Sequence, residues 1–439
     1  MFTTRRQFIQ TAAAAGAALS APFILGAQRD QKFRTALIGC GWWGKNVLHE
    51  AMASGRCKVT ALCDVDPSKL EVTGDQVNDQ TGDTPKPYKD FRELLDREKP
   101  EVVIVSTPDH WHALISIAAL KAGANVYVEK PTGHTINESL AIVKTARQTG
   151  RVVQCGLHRR VGPHYVSARK FFQSGGVGEL GMVRCFADGG GGKELPTANA
   201  EPPDGMDWNM WCGPGPLRPF NSKLHPGGWR HFLDYANGQL GDWGVHWLDQ
   251  MQWFTGHEHP RRVFSTGGRP IKGPVVNDGH AQTTDMPDHQ VVAYEFDNLT
   301  VTWEHRFFAG NNAEKHSIGC YFYGTKGTLH VGWRDGWTFY PTSSRGQVIH
   351  EKAQLQEPDG HNIKLLWADF MSAIDENRKP VADIEPAHRA STMVMLGMLS
   401  LKLKRALEWD GPADKILNDP EANSMLSRPY RGPWEYPSV

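Results

Sequence analysis

The sequence predicts an α/β protein in two parts: a doubly wound parallel sheet first, then a region built on a mostly antiparallel sheet. Three observations carry this. Between residues 33 and 157, short apolar runs alternate with helical stretches, the pattern of strands buried on both faces by helices. The first run leads directly into a glycine-rich turn, "GCGWWG". From 261 to about 350, strand-like runs follow one another with turns between them. A chain of 439 residues is also too long for one ordinary core.

The first part holds five expected strands, "RTALIG", "CKVTALCD", "EVVIVST", "ANVYVEK" and "RVVQCGL". Helices such as "HWHALISIAALKAG" and "NESLAIVKTARQTG" lie between them, each ending at glycine. The character changes near residue 158, and residues 189–228, with "DGGGGKELP" and "CGPGPLRP", read as long loops. A helix is expected over residues 238–256, "GQLGDWGVHWLDQMQWFTG". "QVVAYEF", "LTVTWEHRF" and "SIGCYFYGTKGTLHVGW" then read as antiparallel strands. Two helices follow, "NIKLLWADFMSAIDENRKP" and "AHRASTMVMLGMLSLKLKRALEW", before an irregular tail. The expected boundaries are a leader at 1–27, a dinucleotide-binding domain at 33–157 and a second domain at 158–439, whose C-terminal segment packs back on the first.

Composition excludes some partners. Lys plus Arg and Asp plus Glu balance at 48 each with no block of like charge, which argues against nucleic acid and anionic membranes. The seven cysteines are odd in number and form no C-x-x-C pair. Cys40, Cys63, Cys155 and Cys185 lie in apolar contexts and read as buried thiols. Fifteen tryptophans fit either a carbohydrate site or core packing. At the N-terminus, Arg5-Arg6 and Phe8 precede a small, weakly apolar run, which reads as a twin-arginine export signal cleaved after Ala21 or Ala27. The expectation is export to the periplasm by the twin-arginine machinery, with no membrane span in the mature protein.

Two motifs carry chemistry. Gly39, Gly41 and Gly44 have the G-x-G-x-x-G spacing between a strand and a helix. The first permits the turn, the second lets a pyrophosphate approach, and the third lets helix and strand pack. Trp42 and Trp43 are expected to cover the pyrophosphate from this loop. Asp64 ends the second strand, where a carboxylate holds a ribose hydroxyl and repels a 2′-phosphate, so NAD is favoured over NADP. In the 238–256 helix, Asp242, His246 and Asp249 fall on one face, which lacks Lys and Glu and reads as the wall of a cleft. Lys130 lies at a strand end, where open parallel sheets bind ligands; Glu129, its neighbour, should point elsewhere, toward the cofactor. Asp242 and His246 also have the spacing of a zinc clamp, but no third and fourth ligands lie near them, and no metal is expected.

With these residues in view, the chain resembles the glucose–fructose oxidoreductase, inositol dehydrogenase and rhizopine-catabolism (Gfo/Idh/MocA) family. "GCGWWG", "STPDHWHALISIAALKAGANVYVEKP", "GQLGDWGVHWLD" and "GTKGTLHV" occur in the family's order, from about residue 33 almost to the end. The resemblance implies a Rossmann domain followed by an α/β domain whose large open sheet often mediates oligomers. It implies hydride transfer between a nicotinamide and a sugar or polyol carbon. It matches Lys130 to the family's EKP lysine, Asp242 and His246 to its D-x-x-x-H pair, and Thr107, Pro108 and His112 to the stretch lining the nicotinamide. His246 is then the base for the hydroxyl proton, Lys130 a partner of the same oxygen, and Asp242 an orienting group. His158, Arg159, Trp229, Arg230 and Asp249 are substrate-binding candidates, with the rival readings of core packing or ion pairing. The insertion "DGMDWNMWCGPGPLRPF" resembles exported branches of the family.

The expected function is NAD-dependent oxidation or reduction of a sugar, polyol or glycoside, with the cofactor retained because free NAD is not expected outside the cytoplasm. A redox-neutral NAD-dependent glycosidase or lyase is the second reading, and a catalytically silent sugar binder the third.

Overall fold

The computed structural model describes residues 32–311, 313–355 and 358–437; the expected export signal lies outside the described residues. Six strands form the first sheet: β1 (Phe33–Ile38), β2 (Cys57–Cys63), β3 (Lys86–Tyr88), β4 (Val102–Val105), β5 (Asn125–Val128) and β6 (Val153–Cys155). Their order is β3-β2-β1-β4-β5-β6, and every pair is parallel. Strands β4 and β5 are buried throughout, as their unbroken apolar runs require. The sequence reading missed β3, an edge strand of three residues with a central proline, too short to show any periodicity. Helices α1 (Trp42–Ala53), α2 (Pro67–Thr81), α3 (Phe91–Glu98), α4 (His112–Lys121) and α5 (Ile136–Thr149) connect the strands. The strand order reverses between β1 and β4, and such a reversal opens a crevice at the carboxyl ends of the strands.

The second part begins with α6 (Pro163–Gln173) and the long strand β7 (Leu180–Asp188). Residues 189–237 are mostly irregular, with β8 (Thr197–Ala198), α7 (Trp208–Cys212) and a small core of their own around Trp208, Trp211, Phe232 and Tyr235. A π-helical turn at Leu240–Gly244 leads into α8 (Val245–Thr255). The remaining strands are β9 (Arg262–Gly268), β10 (Ala281–Gln282), β11 (His289–Glu295), β12 (Thr300–Arg306), β13 (Ile318–Gly324), β14 (Gly327–Val331), β15 (Trp337–Pro341), β16 (Ile349–Glu351), β17 (Leu407–Asp410) and β18 (Lys415–Ile416). Apart from the β8–β10 pair, they join β7 in a ten-stranded sheet, ordered β16-β15-β14-β13-β7-β12-β11-β9-β17-β18. Only β7 and β12 pair in parallel. Helices α9 (Pro358–Glu376), α10 (Ile384–Leu403) and α11 (Pro420–Ser424) complete the chain.

Alternation fixes the faces of this sheet. Val301, Trp303 and His305 of β12 are buried, while Thr302, Glu304 and Arg306 point the other way. On that second face Arg184 pairs with Glu304 and Glu314, and Met182, Phe264 and Val291 are exposed.

The helix expected to run through "ALEW" stops at Lys404, which adopts a left-handed conformation. Leu407 and Trp409 then alternate with exposed Glu408, Leu407 and Glu408 pairing with β9 and Trp409 with β18, so the period changes from helical to extended within a few residues. The C-terminal segment does pack back on the first sheet. Cys155 N donates to Ala382 O at 2.9 Å, and Arg428 Nε donates to the buried Glu138 carboxylate at 2.9 Å. All seven cysteines are buried free thiols. Among the described residues, no helix is long and apolar enough to cross a membrane.

Candidate active site

A cavity of about 180 Å³ lies at the carboxyl ends of β4 and β5, walled on its far side by α8 and the turn before it. Trp42 and Trp43, at the start of α1 just past the glycine loop, border it. Gly39 has φ +98°, and a Cβ there would lie 2.6 Å from Ser106 O, so no other residue fits between β1 and β4. A Cβ on Gly44 would lie 2.1 Å from Gly39 O, which is the close helix–strand approach expected. Gly41 is different: a Cβ there meets nothing within 4 Å, and no side chain caps α1. The first N–H groups of α1 thus face open space, which fits a pyrophosphate. Asp64 accepts from Cys40 N at 2.8 Å and from Asp66 N at 3.0 Å, so it also pins the loop. Each of its oxygens keeps a lone pair for a ribose hydroxyl.

Trp42 and Trp43 do not lie in the loop. They form the first turn of α1, because the loop is only Gly39-Cys40-Gly41. Trp43 turns inward against the His158 ring, and Trp42 is 70% exposed at the cavity rim.

Lys130 follows β5 and is held from several sides. His112 places its two ring nitrogens 2.7 Å from Pro131 O and 2.8 Å from Thr107 O, between the β4 and β5 ends; burial keeps the ring neutral, so its single N–H donates to one of the two carbonyls. Thr132 N donates to Ser391 Oγ of α10 at 3.1 Å. Lys130 Nζ donates to Asp242 Oδ1 at 2.8 Å and to Asp242 O at 3.1 Å. Glu129 does not face away as expected. It lines the same cavity, because β5 ends at Val128 and strand alternation no longer applies beyond it. Burial pushes its carboxyl up.

The π-helical turn sets Asp242. Its wider winding is bound to glycine: a Cβ on Gly244 would lie 2.7 Å from Leu240 Cδ1, and one on Gly241 2.8 Å from Asn237 Cβ. Burial opposes charge on Asp242, but Lys130 and Arg230, whose Nε is 3.4 Å away, hold it well below the usual carboxylate range. His246 is buried, its Nδ1 has no partner, and its ring meets His158 edge-on at 5.2 Å. Burial, with Arg159, Lys130 and His158 nearby, holds it well below the ordinary imidazole range, so it is a neutral proton acceptor.

Of the substrate candidates, His158, Arg159, Trp229 and Arg230 line the cavity. Asp249 does not. It is 1% exposed and accepts from Arg160 Nε at 3.0 Å and Nη2 at 2.7 Å, a buried ion pair one turn beyond His246. Pro108 leads into the turn at Asp109–Trp111 without lining the cavity. The tryptophans divide: Trp42, Trp43, Trp229 and Trp243 line the site, while Trp247, Trp303 and Trp367 are core.

Trp243 and two titratable residues of the site, Asp109 and Asp359, were missed. Asp109, 4% exposed, lines the cavity, and burial pushes its carboxyl up to about 8. Its place just past β4 was the available signal. Asp359 accepts from Trp333 Nε1 and sits 3.0 Å from His158 Nε2. It reaches the site from α9, and no local spacing announces it. The grouping with metal-ligand spacing among the described residues, His316, His330 and Asp335, lies outside the cavity.

A doubly wound sheet with an uncapped glycine-rich helix start at its switch point defines a dinucleotide-binding protein. The chain belongs to the Gfo/Idh/MocA oxidoreductase family: residues 33–157 match its NAD-binding Rossmann fold and residues 190–436 its C-terminal α/β domain. Over 152 residues the chain is 30% identical to inositol 2-dehydrogenase/D-chiro-inositol 3-dehydrogenase of Lactiplantibacillus plantarum, covering 34% of this chain and 42% of that protein. Over another 152-residue match it is 34% identical to a glycosyl hydrolase family 109 protein of Stenotrophomonas maltophilia, covering 33% of this chain and 34% of that protein. The chain therefore matches less than half the length of either relative. A levoglucosan dehydrogenase solved with NADH and levoglucosan shares the fold at TM-score 0.64 and 20% identity, over 86% of this chain and 99% of that one.

Proposed function

We propose that this protein is an NAD-dependent oxidoreductase that moves a hydride between the cofactor and a hydroxyl-bearing carbon of a sugar, polyol or glycoside. The observation that carries the reading is the set Lys130, Asp242 and His246 around one cavity beside the Gly41 end of α1. NAD, when bound, supplies the hydride acceptor. Gly39, Gly41, Gly44 and Asp64 hold its pyrophosphate and ribose, and the Asp64 carboxylate favours it over NADP. His246 takes the hydroxyl proton. Lys130, aimed by Asp242, donates a hydrogen bond to the same oxygen and stabilises the charge that develops there. Trp229 and Trp43 wall the ring.

Arg5 and Arg6 support export to the periplasm with the cofactor already bound. The exposed apolar side chains on the open sheet face support assembly into a homo-oligomer. The likeness to a family 109 glycosyl hydrolase favours one second reading, a redox-neutral glycosidase in which oxidation is transient.

The test follows nicotinamide absorbance and product formation with a panel of sugars, polyols and aryl glycosides. Net NAD reduction with a sugar product supports the oxidoreductase. Aglycone release without net NADH gives the second reading, and no reaction with any of them overturns both.

A further inference from the structure

Arg159 is 2% exposed and lines the active-site cavity. Its guanidinium lies 4.1 Å from the Trp247 ring centre and 5.8 Å from that of Trp243. Neither Nε nor Nη1 has a hydrogen-bond partner. Among the described residues no carboxylate lies within ion-pair distance of it; Asp249 and Asp359 feel its charge from further off, but the nearby carboxylates are hydrogen-bonded elsewhere. Asp249 is held by Arg160, Asp242 by Lys130 and Arg230, and Asp359 by His158 and Trp333. A buried cation without a hydrogen-bonded counter-charge is costly, and native proteins keep such groups where a ligand completes them.

The charge around the cavity points the same way. Lys130, Arg159 and Arg230 are three cations on its wall, and two ionised carboxylates stand against them: Asp242, shared between Lys130 and Arg230, and Asp359. Asp109 and Glu129 add little negative charge, since burial drives both carboxyls toward the neutral form. One positive charge is left over on the substrate side, and it belongs to an arginine. The planar guanidinium fork matches a planar carboxylate, whose single charge it balances; a phosphate dianion would leave one charge uncompensated.

We propose that the sugar taken by this cavity carries a carboxylate, as in a uronic acid or its glycoside, and that Arg159 receives that group. The proposal rests on the sugar-oxidoreductase reading above and narrows its substrate class. Trp247 and Trp243 hold the guanidinium, and the carboxylate anchors the ring so that a hydroxyl meets Lys130 and His246.

The experiment compares matched pairs, methyl glucuronides against methyl glucosides and galacturonides against galactosides, in wild type, Arg159→Gln and Arg159→Lys. Two readouts are used: NAD reduction, and calorimetric binding to the protein loaded with NADH, which does not depend on turnover. The expected result is a preference of about tenfold to a hundredfold for the acid in wild type, the worth of a charged bidentate contact. Arg159→Gln brings the acid-to-neutral ratio near one, and Arg159→Lys keeps part of it. Wild type favouring neutral sugars, or binding neither member of any pair, overturns the proposal. So does an Arg159→Gln variant that loses both members equally. Turnover of neutral sugars alone sinks the carboxylate while the oxidoreductase reading stands. A folded, NAD-loaded protein that releases aglycone without net NADH sinks the latter, and the binding ratio still decides the former.

Discussion

Asp109 and His246 are titratable groups that burial drives to neutral forms in a cavity already crowded with cations. For Asp109 the consequence is a pH-dependent stability. An unfolded Asp titrates near ~3.9, whereas the folded group is pushed up to about 8. Between those values the unfolded state holds fewer protons than the folded one, so this group lowers stability progressively as pH rises across the window. Below the window both states are protonated and the effect vanishes. Asp109→Asn removes the titration. The variant is expected to gain stability over wild type between pH 4 and pH 8 by a few kcal/mol, at ~1.4 kcal/mol per pKa unit. Melting curves at both pH values check this, and a difference independent of pH contradicts it. His246 is shifted the opposite way and stays a base to low pH, so the acid limb of turnover should fall below the ordinary imidazole range. His246→Ala and Lys130→Ala should each lose ~10²–10⁴ in rate while still quenching protein fluorescence on NADH addition. Variants that turn over near the wild-type rate show that the proton passes elsewhere. Lys130, Asp242 and His246 were legible because each belongs to a short motif. Asp359 was not, because it meets His158 across 201 residues of sequence. Asp249 was misplaced because spacing gives a helix face but not which part of that face is roofed by a neighbour such as Arg160.

At the scale of elements, the three glycines of the loop do separable work. Gly39→Ala forces a side chain into a positive φ and toward Ser106 O, costing ~1–3 kcal/mol in backbone strain alone. Gly41→Ala meets nothing in the protein itself. It should melt like wild type yet bind NAD at least about tenfold more weakly, ~1.4 kcal/mol, because the added methyl occupies the pyrophosphate position. Equal NAD affinity in a folded Gly41→Ala variant moves the cofactor away from this loop. Strong periodic elements, β1, β2 and α5 among them, fell close to their expected bounds. What the pattern missed were elements defined by partners: β3 exists through its pairing with β2, and β17 through its pairing with β9. The π-helical turn belongs to the same group. Its glycines are visible in "GQLGDWG", but only the folded positions of Leu240 and Asn237, unremarkable in sequence, show why they are needed.

For the whole molecule, the order of a parallel sheet followed by a mostly antiparallel one was legible, because the periods differ. The packing of α10 against both α5 and β9 was not, because it joins faces that each look like ordinary buried helix. The open sheet face should be an interface: sedimentation is expected to give an oligomer that Val291→Asp, on that face, dissociates. A monomeric wild type removes this expectation. The last prediction concerns the cofactor's residence. Trp42 stands at the rim with most of its ring in solvent, beside the uncapped start of α1. A bound dinucleotide would cover that ring, and burying a large apolar side chain contributes ~1.5–3 kcal/mol, or roughly tenfold to a hundredfold in release rate. Retention of this kind is what export of a folded, loaded protein requires. Exhaustively desalted wild type should therefore keep its cofactor in the protein fraction and continue to turn over an oxidisable and a reducible sugar supplied together, with no NAD added. Trp42→Ala should lose cofactor on the same column and recover with added NAD. If wild type also loses all activity on desalting and recovers only with free NAD in the millimolar range, the cofactor exchanges like that of a soluble dehydrogenase. Arg5-Arg6 would then have to be read as something other than the address of a loaded enzyme.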